Sequence, residues 1–145
     1  MRGAYCLIDE NVKIGRGTKI GDYVELRSGT VIGDDCYIDS RVTCTGNAII
    51  GDNVTVRNAV VIARKCLIGD GTFISPQVMF ENVRPATGEQ IGGAIIGKNV
   101  VIGTGSTIAA GIHICDGAKV GSMSYVTKHI LEPGVYMGIP ARRVR

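Results

Sequence analysis

Every sixth residue from Ile8 onward is apolar: Ile8, Ile14, Ile20, Leu26, Ile32, Ile38, Cys44, Ile50, Val56, Ile62, Ile68, Ile74 and Phe80. The phase then breaks and resumes at Ile96, Ile102, Ile108, Ile114, Val120 and Val126, which makes 19 hexads. Gly follows the lead residue in eight of them, at 15, 21, 33, 51, 69, 97, 103 and 121. Two residues before the leads stand small or β-branched side chains, among them Val12, Thr18, Val24, Thr30, Cys36, Val42 and Ala48. A six-residue period does not fit an amphipathic α-helix, whose apolar face recurs every 3.6 residues. It fits short extended segments joined by turns, in which the lead and the residue two before it point inward together. β-branched leads favour extended backbone, and Gly after the lead supplies a turn position without a Cβ clash. A single rung cannot bury its own inner face, whereas stacked rungs bury a continuous one. The chain is therefore expected to be all-β, a parallel β-helix filled by stacked isoleucines, over residues 1–131, followed by a short extension over 132–145.

Composition agrees and removes other classes. The 145 residues include 21 Gly, seven aromatics and no Trp, as a narrow interior requires. The apolar share of 45% argues against wholesale disorder. The longest apolar run, Ala59 to Ala63, is far short of the roughly 20 residues of a membrane span, and the N-terminus has no apolar run of a secretory signal. A net charge of +3 without a basic stripe or stacking aromatics argues against a nucleic-acid partner. The five cysteines, at 6, 36, 44, 66 and 115, form no CxxC pair. Most of them read as small buried hydrophobes, in a reducing, cytoplasmic setting. The tail Arg142-Arg143-Val144-Arg145 is either a phosphate-binding end or a frayed basic one.

The informative irregularity is the break. Phe80 to Ile96 spans 16 residues, and the intervening stretch from Val83 to Gly93 is polar, with one Pro and three Gly. It reads as a loop (about 83–94) extruded from the prism, and loops on rigid scaffolds carry function. Beside it, Asn82 is either a site residue or a turn residue that tolerates left-handed backbone. Glu81 is an outward-facing candidate base. His113, just before the lead Ile114, points outward and is either a general base or an ordinary surface group. His129 reads as surface.

The hexads resemble the left-handed parallel β-helix of the hexapeptide-repeat acyltransferases. Three hexads per triangular coil then give about six coils, and the resemblance implies a homotrimer with active sites between prisms. Val78-Met79-Phe80-Glu81-Asn82 looks like the stretch before the loop in the nucleotide-linked amino-sugar N-acetyltransferases. That likeness gives Asn82 the sugar's amino group or the thioester and makes Arg84 part of a substrate loop, although Val83 stands where many relatives carry an acid. Three further stretches are similar to the family's coenzyme A site: Val101-Ile102-Gly103-Thr104; Val120-Gly121-Ser122 with Tyr125-Val126-Thr127-Lys128; and Gly138 to Arg145. They imply that Thr104 and Ser122 bind the pantetheine arm through backbone groups. Thr127, Lys128, Arg142 and Arg145 would lie near the nucleotide and phosphates, as suits a polyanion. Thr104 and Ser122 replace commoner small residues, and His129 stands where an acid is usual.

With only two histidines, the fold's zinc carbonic anhydrase branch, which needs three, is not expected, and no metal is implied. O-acetylating relatives carry His-Pro at the loop start where this chain has Arg84-Pro85, and Arg is no base at neutral pH. The resulting expectation is an acetyl-CoA-dependent N-acetyltransferase acting on a nucleotide-linked amino sugar. The alternatives are sugar O-acetylation using His113, or a non-catalytic trimeric scaffold. Because the hexads begin by residue 8, a sugar nucleotide is expected to bind on the prism and loop alone.

Overall fold

The computed structural model describes residues 2–145 as two-residue strands separated by four-residue turns, with no helix among them. Each strand of the repeat ends on a lead residue, from Leu7–Ile8 to Tyr125–Val126. Three parallel sheets form the faces of a prism. The first runs through Leu7, Glu25, Thr43, Val61, Met79, Thr107 and Tyr125; the second starts at Lys13 and the third at Lys19. Partners lie one coil apart in sequence, as in Ile8 with Leu26 and Ile32 with Ile50. The all-β parallel solenoid is consistent with the expected left-handed winding.

The described residues make about seven coils, not six. At the N-terminus Arg2 already bridges Ile20, although its side chain is not apolar. At the C-terminus the register slips: Ile130, four residues after Val126, bridges Ile114, and Val135–Gly138 then joins the third face beside Lys119–Val120. A search for apolar residues at strict sixes stops at Val126 and misses this coil. Ala141–Arg143 folds back antiparallel on Val135–Gly138 and closes that end.

The interior is built as the hexads predict. Leads such as Leu26, Ile38, Ile62, Ile74 and Ile108 are fully buried, as are Val42, Val54, Val60 and Val78 two positions before leads. Where that inner position is polar, a turn carbonyl accepts from it, in its own turn for Thr30 and Ser124 and in the next coil elsewhere. Thr18, Thr72 and Ser106 donate to the carbonyls of Gly33, Gly97 and Gly121 at 2.7–2.9 Å, and the Cys36 thiol to Gly51 at 3.0 Å. Burial pushes the Cys44 thiol up to about 12 and that of Cys66 up to about 11, so these thiols are packing groups rather than nucleophiles.

The turns show why Gly follows the lead. A Cβ on Gly33 would stand 2.6 Å from the Gly51 carbonyl oxygen of the next coil. The requirement is close approach, not unusual backbone. The left-handed position falls two residues later, at Tyr23, Asp35, Asn53 and Lys65 among others, with φ between 54° and 64°. On the corner between the second and third faces, a column of carboxylates accepts backbone N–H groups from the coil before. Arg16 donates to Asp34, Asp34 to Asp52 and Asp52 to Asp70, each at 2.8 Å.

The core is closed in the middle of the prism and open at its N-terminal end, where Ile14 is 37% exposed while Ile62 is fully buried. Ile62→Ala is therefore expected to cost about 2–5 kcal/mol and Ile14→Ala well under half of that. Urea unfolding midpoints of the two variants measure the difference.

Candidate active site

The break in the hexads is a β-hairpin. Phe80 and Ile96 are leads of adjacent faces, which elsewhere stand only six positions apart. The extra length leaves the prism at the corner between the first and second faces, and Ala94 is already back in the core. Val83–Arg84 pairs antiparallel with Glu89–Gln90. The Arg84 carbonyl accepts the Gly88 N–H at 2.8 Å across the turn, and Asn82 accepts that of Ile91 at 2.8 Å. The Arg84 guanidinium pairs with Glu89 at 2.9 Å, so its charge is matched within the hairpin.

The corner from which the hairpin leaves is a column of stacked turns. From the third coil on, Thr45, Ala63, Glu81, Ala109 and Thr127 each directly follow a lead of the first face, where Asp9 and Arg27 stand in the first two coils, so Glu81 is an acid set among small side chains. Two depressions flank the hairpin base and share Glu81. Toward the N-terminal end, a trough of about 590 Å³ is lined mainly by apolar groups, including Val61, Met79, Phe80 and Pro85, with Arg64 and Asn82 at its edge. Toward the C-terminal end, a cleft of about 350 Å³ is lined by Glu81, Arg84, Ile91, Ala109, Thr127 and His129.

Glu81 has a fixed partner. The Tyr125 hydroxyl donates to its Oε1 at 3.0 Å from two coils below. That hydrogen bond, with burial and the carboxylate's charge, raises the Tyr125 phenol above its usual value, so the phenol stays a donor through the neutral range.

His129 is exposed, as expected, and lines two depressions. Besides the cleft with Glu81, it lines a second one of about 250 Å³ with Lys128, Tyr136, Ala141, Arg142 and Arg143 at the C-terminal end of the prism. Its Nδ1 accepts the His113 backbone N–H at 3.0 Å, and the two rings meet edge-on with centroids 5.3 Å apart. The neutral ring then donates through Nε2. The Val126–Ile130 register slip that places His129 here was the available signal; six-residue counting hides it.

The remaining candidates fall into separate groups. Lys128 and Arg142 share the C-terminal depression and meet no carboxylate within ion-pair distance among the described residues. Arg143, by contrast, is held by Glu132 at 3.1 Å and by the Pro133 and Arg145 carbonyls. The Arg145 backbone closes the end through its N–H and carbonyl on Val135. Thr104 and Ser122 stack on another corner, between the third and first faces, where the Met123 N–H donates to the Thr104 carbonyl at 2.8 Å. A Cβ on Gly103 would come within 2.5 Å of the Ser122 nitrogen. The His113 side chain lines a depression with Ile95, Ile130 and Leu131 on the second face, apart from Asn82 and Glu81. No group of His, Cys, Asp or Glu suited to a metal ion occurs among the described residues. No helix is long and apolar enough to cross a membrane.

The Glu81–Tyr125 contact makes a direct prediction. Of the five tyrosines, Tyr125 should ionise above the ordinary phenol range in a spectrophotometric titration. Glu81→Gln, which removes the charge, should bring that transition down. An unchanged titration would show that the carboxylate does not govern the phenol.

Comparison with known proteins places this architecture. The pattern of the bacterial transferase hexapeptide family (six repeats) matches residues 11–46, 29–64 and 93–128, on both sides of the hairpin. Bifunctional protein GlmU of Acidithiobacillus ferrooxidans is 30% identical over 134 residues, covering 92% of this chain and 28% of that protein. The chain thus spans little more than a quarter of that relative's length. The acetyltransferase domain of PglB from Neisseria gonorrhoeae, solved with acetyl coenzyme A, superposes with a TM-score of 0.73 at 19% identity over 96% of this chain and 57% of that one. PerB from Caulobacter crescentus, solved with CoA and GDP-perosamine, gives 0.70 at 16% identity over 95% and 53%. At these identities the two structures establish a shared fold. The hexads, the prism they build and the family pattern on both sides of the hairpin together make this chain a member of the bacterial transferase hexapeptide family.

Proposed function

We propose that the protein is an acetyl-CoA-dependent N-acetyltransferase whose acceptor is the amine of a nucleotide-linked amino sugar. The observation that carries this reading is the continuity of one corner. Glu81, at the hairpin base next to Asn82, lines a cleft together with His129, and His129 also lines the depression holding the unpaired Lys128 and Arg142. A cationic end suits the phosphates of coenzyme A, and the cleft leads from it to polar groups at the hairpin. PerB and PglB, which share the fold, were solved with CoA or acetyl coenzyme A, and PerB also with GDP-perosamine.

In this reading the amine attacks the thioester carbonyl, forming the C–N bond. The tetrahedral intermediate then expels the coenzyme A thiolate. The Asn82 side-chain amide donates to the oxyanion. Glu81, anchored by Tyr125, accepts the proton that the amine loses. An amine is nucleophilic without a histidine base, and His113 does not line the depressions that hold Glu81 and Asn82.

The reading also includes a homotrimer. Thr104 and Ser122 sit on a different corner of the prism from Thr127 and the hairpin, so one copy does not bring the two halves together. Packing between copies sets a corner of one against a corner of the next. The second face offers an apolar outward ladder for such packing, with Ile49 51%, Leu67 39% and Ile95 38% exposed.

The test is release of coenzyme A with acetyl-CoA and a panel of nucleotide-linked amino sugars and their hydroxyl counterparts. Amines should be acetylated and hydroxyls not. Asn82→Ala should lower kcat/KM by about 10²–10³-fold, the scale of a lost oxyanion donor. Undiminished turnover by Asn82→Ala would remove that residue from the mechanism. Absence of acetyl-CoA binding, read by titration calorimetry, would favour a non-catalytic scaffold.

A further inference from the structure

We infer that Arg64 and Lys65 form a diphosphate subsite, the place where the linker of a nucleotide-activated acceptor is held. This rests on the acetyltransferase reading only for the identity of the acceptor. The anion site itself stands on the geometry.

Arg64 and Lys65 occupy the corner turn one coil before the hairpin base, directly beneath the inserted segment. With Asn82, Gln90, Ile91 and Gly92 they line a notch of about 250 Å³ under the hairpin. No carboxylate lines it, and neither cation has an ion-pair partner among the described residues. This sets them apart from Arg84, Arg57 and Arg143, which are paired with Glu89, Asp39 and Glu132 at 2.9–3.1 Å. Glu81, the acid that lines the neighbouring trough, accepts the Tyr125 hydroxyl instead.

The backbone arranges the pair. Gly46, one coil further back, has φ +133°, and a Cβ there would stand 3.0 Å from an Arg64 Nη. The missing side chain leaves room for the guanidinium against the Gly46 turn. Gly93 likewise lets the returning strand of the insertion press on this turn, since a Cβ there would meet the Arg64 carbonyl oxygen at 2.5 Å. Lys65 is in the left-handed region at φ 64°, where Asn and Gly stand at other corners.

The notch opens into the apolar trough, and the two share Arg64 and Asn82. An apolar trough of about 590 Å³, able to take a ring and lined also by Glu81, thus adjoins a notch that holds two positive charges and Asn82. A planar guanidinium with an adjacent ammonium matches the two negative charges and several oxygens of a diphosphate. The coenzyme has its own unpaired cations, Lys128 and Arg142, at the other end of the corner.

The test measures binding of UDP, of inorganic pyrophosphate and of coenzyme A to the wild-type protein, to Arg64→Gln and to Lys65→Asn. Asn replaces Lys65 because it tolerates the left-handed backbone, and circular dichroism checks that each variant keeps its sheet. Wild type should bind UDP and pyrophosphate. Each variant should bind both at least tenfold more weakly, with coenzyme A affinity changed less than twofold. Equal affinity of variants and wild type for UDP, or no UDP and pyrophosphate binding by wild type, would overturn the subsite. Loss of coenzyme A affinity in parallel with UDP would assign the cations to the coenzyme and overturn the acceptor assignment. If UDP binding depends on Arg64 while no amine is acetylated, the subsite stands and the acetyltransferase reading falls.

Discussion

Everything in this molecule depends on one constraint: each residue of a coil must stack on its counterpart one coil away. Parallel strands lie about 4.8 Å apart, so three walls of two-residue strands leave a narrow interior. Only a lead residue and the residue two before it reach inward, and they are buried in every central coil. The same spacing brings turns into contact. Gly33 meets the Gly51 carbonyl, and the Asp34–Asp52–Asp70 column caps backbone N–H groups without help from a helix or solvent.

Stacking also explains how a scaffold without helices assembles a candidate site. Residues far apart in sequence become neighbours when they share a corner. Glu81 receives a hydrogen bond from Tyr125, 44 residues away, because the two strands lie on the same face two coils apart. Arg64, Asn82 and Thr127 are gathered onto one corner by the same rule. The hairpin gives that corner depth. Without it the surface is a repeating ladder; with it there is a trough on one side and a cleft on the other.

Much of this was legible in the chain. The phase of the isoleucines gave the wall, the inner positions and the extruded segment, because each is a consequence of side-chain alternation. The ends were not legible. Arg2 and Ile130 join the sheets through backbone bonds that no apolar pattern marks, so one coil was missed. The role of the glycines was half legible: their need for space follows from the repeat, but the left-handed backbone falls on residues as varied as Tyr23, Ala59 and Lys65. Among the candidate site residues, Glu81 and Asn82 could be picked by type and position beside the break, whereas Thr127, Lys128 and Arg142 came from the resemblance to the coenzyme site. The two depressions that the exposed His129 lines could not be foreseen, because they depend on a two-residue register slip. Nor could the neutralisation of Arg84 by Glu89, which requires the antiparallel pairing of the hairpin.

The central claim is that group transfer takes place at the hairpin corner. The most direct measurement is a crystal structure of the protein with coenzyme A and a nucleotide-linked amino sugar. The account predicts the coenzyme sulfur and the sugar amine together beside Asn82 and Glu81, with coenzyme phosphates at Lys128 and Arg142. A coenzyme sulfur lying away from that corner, for example in the depression lined by His113 and Leu131, would contradict it.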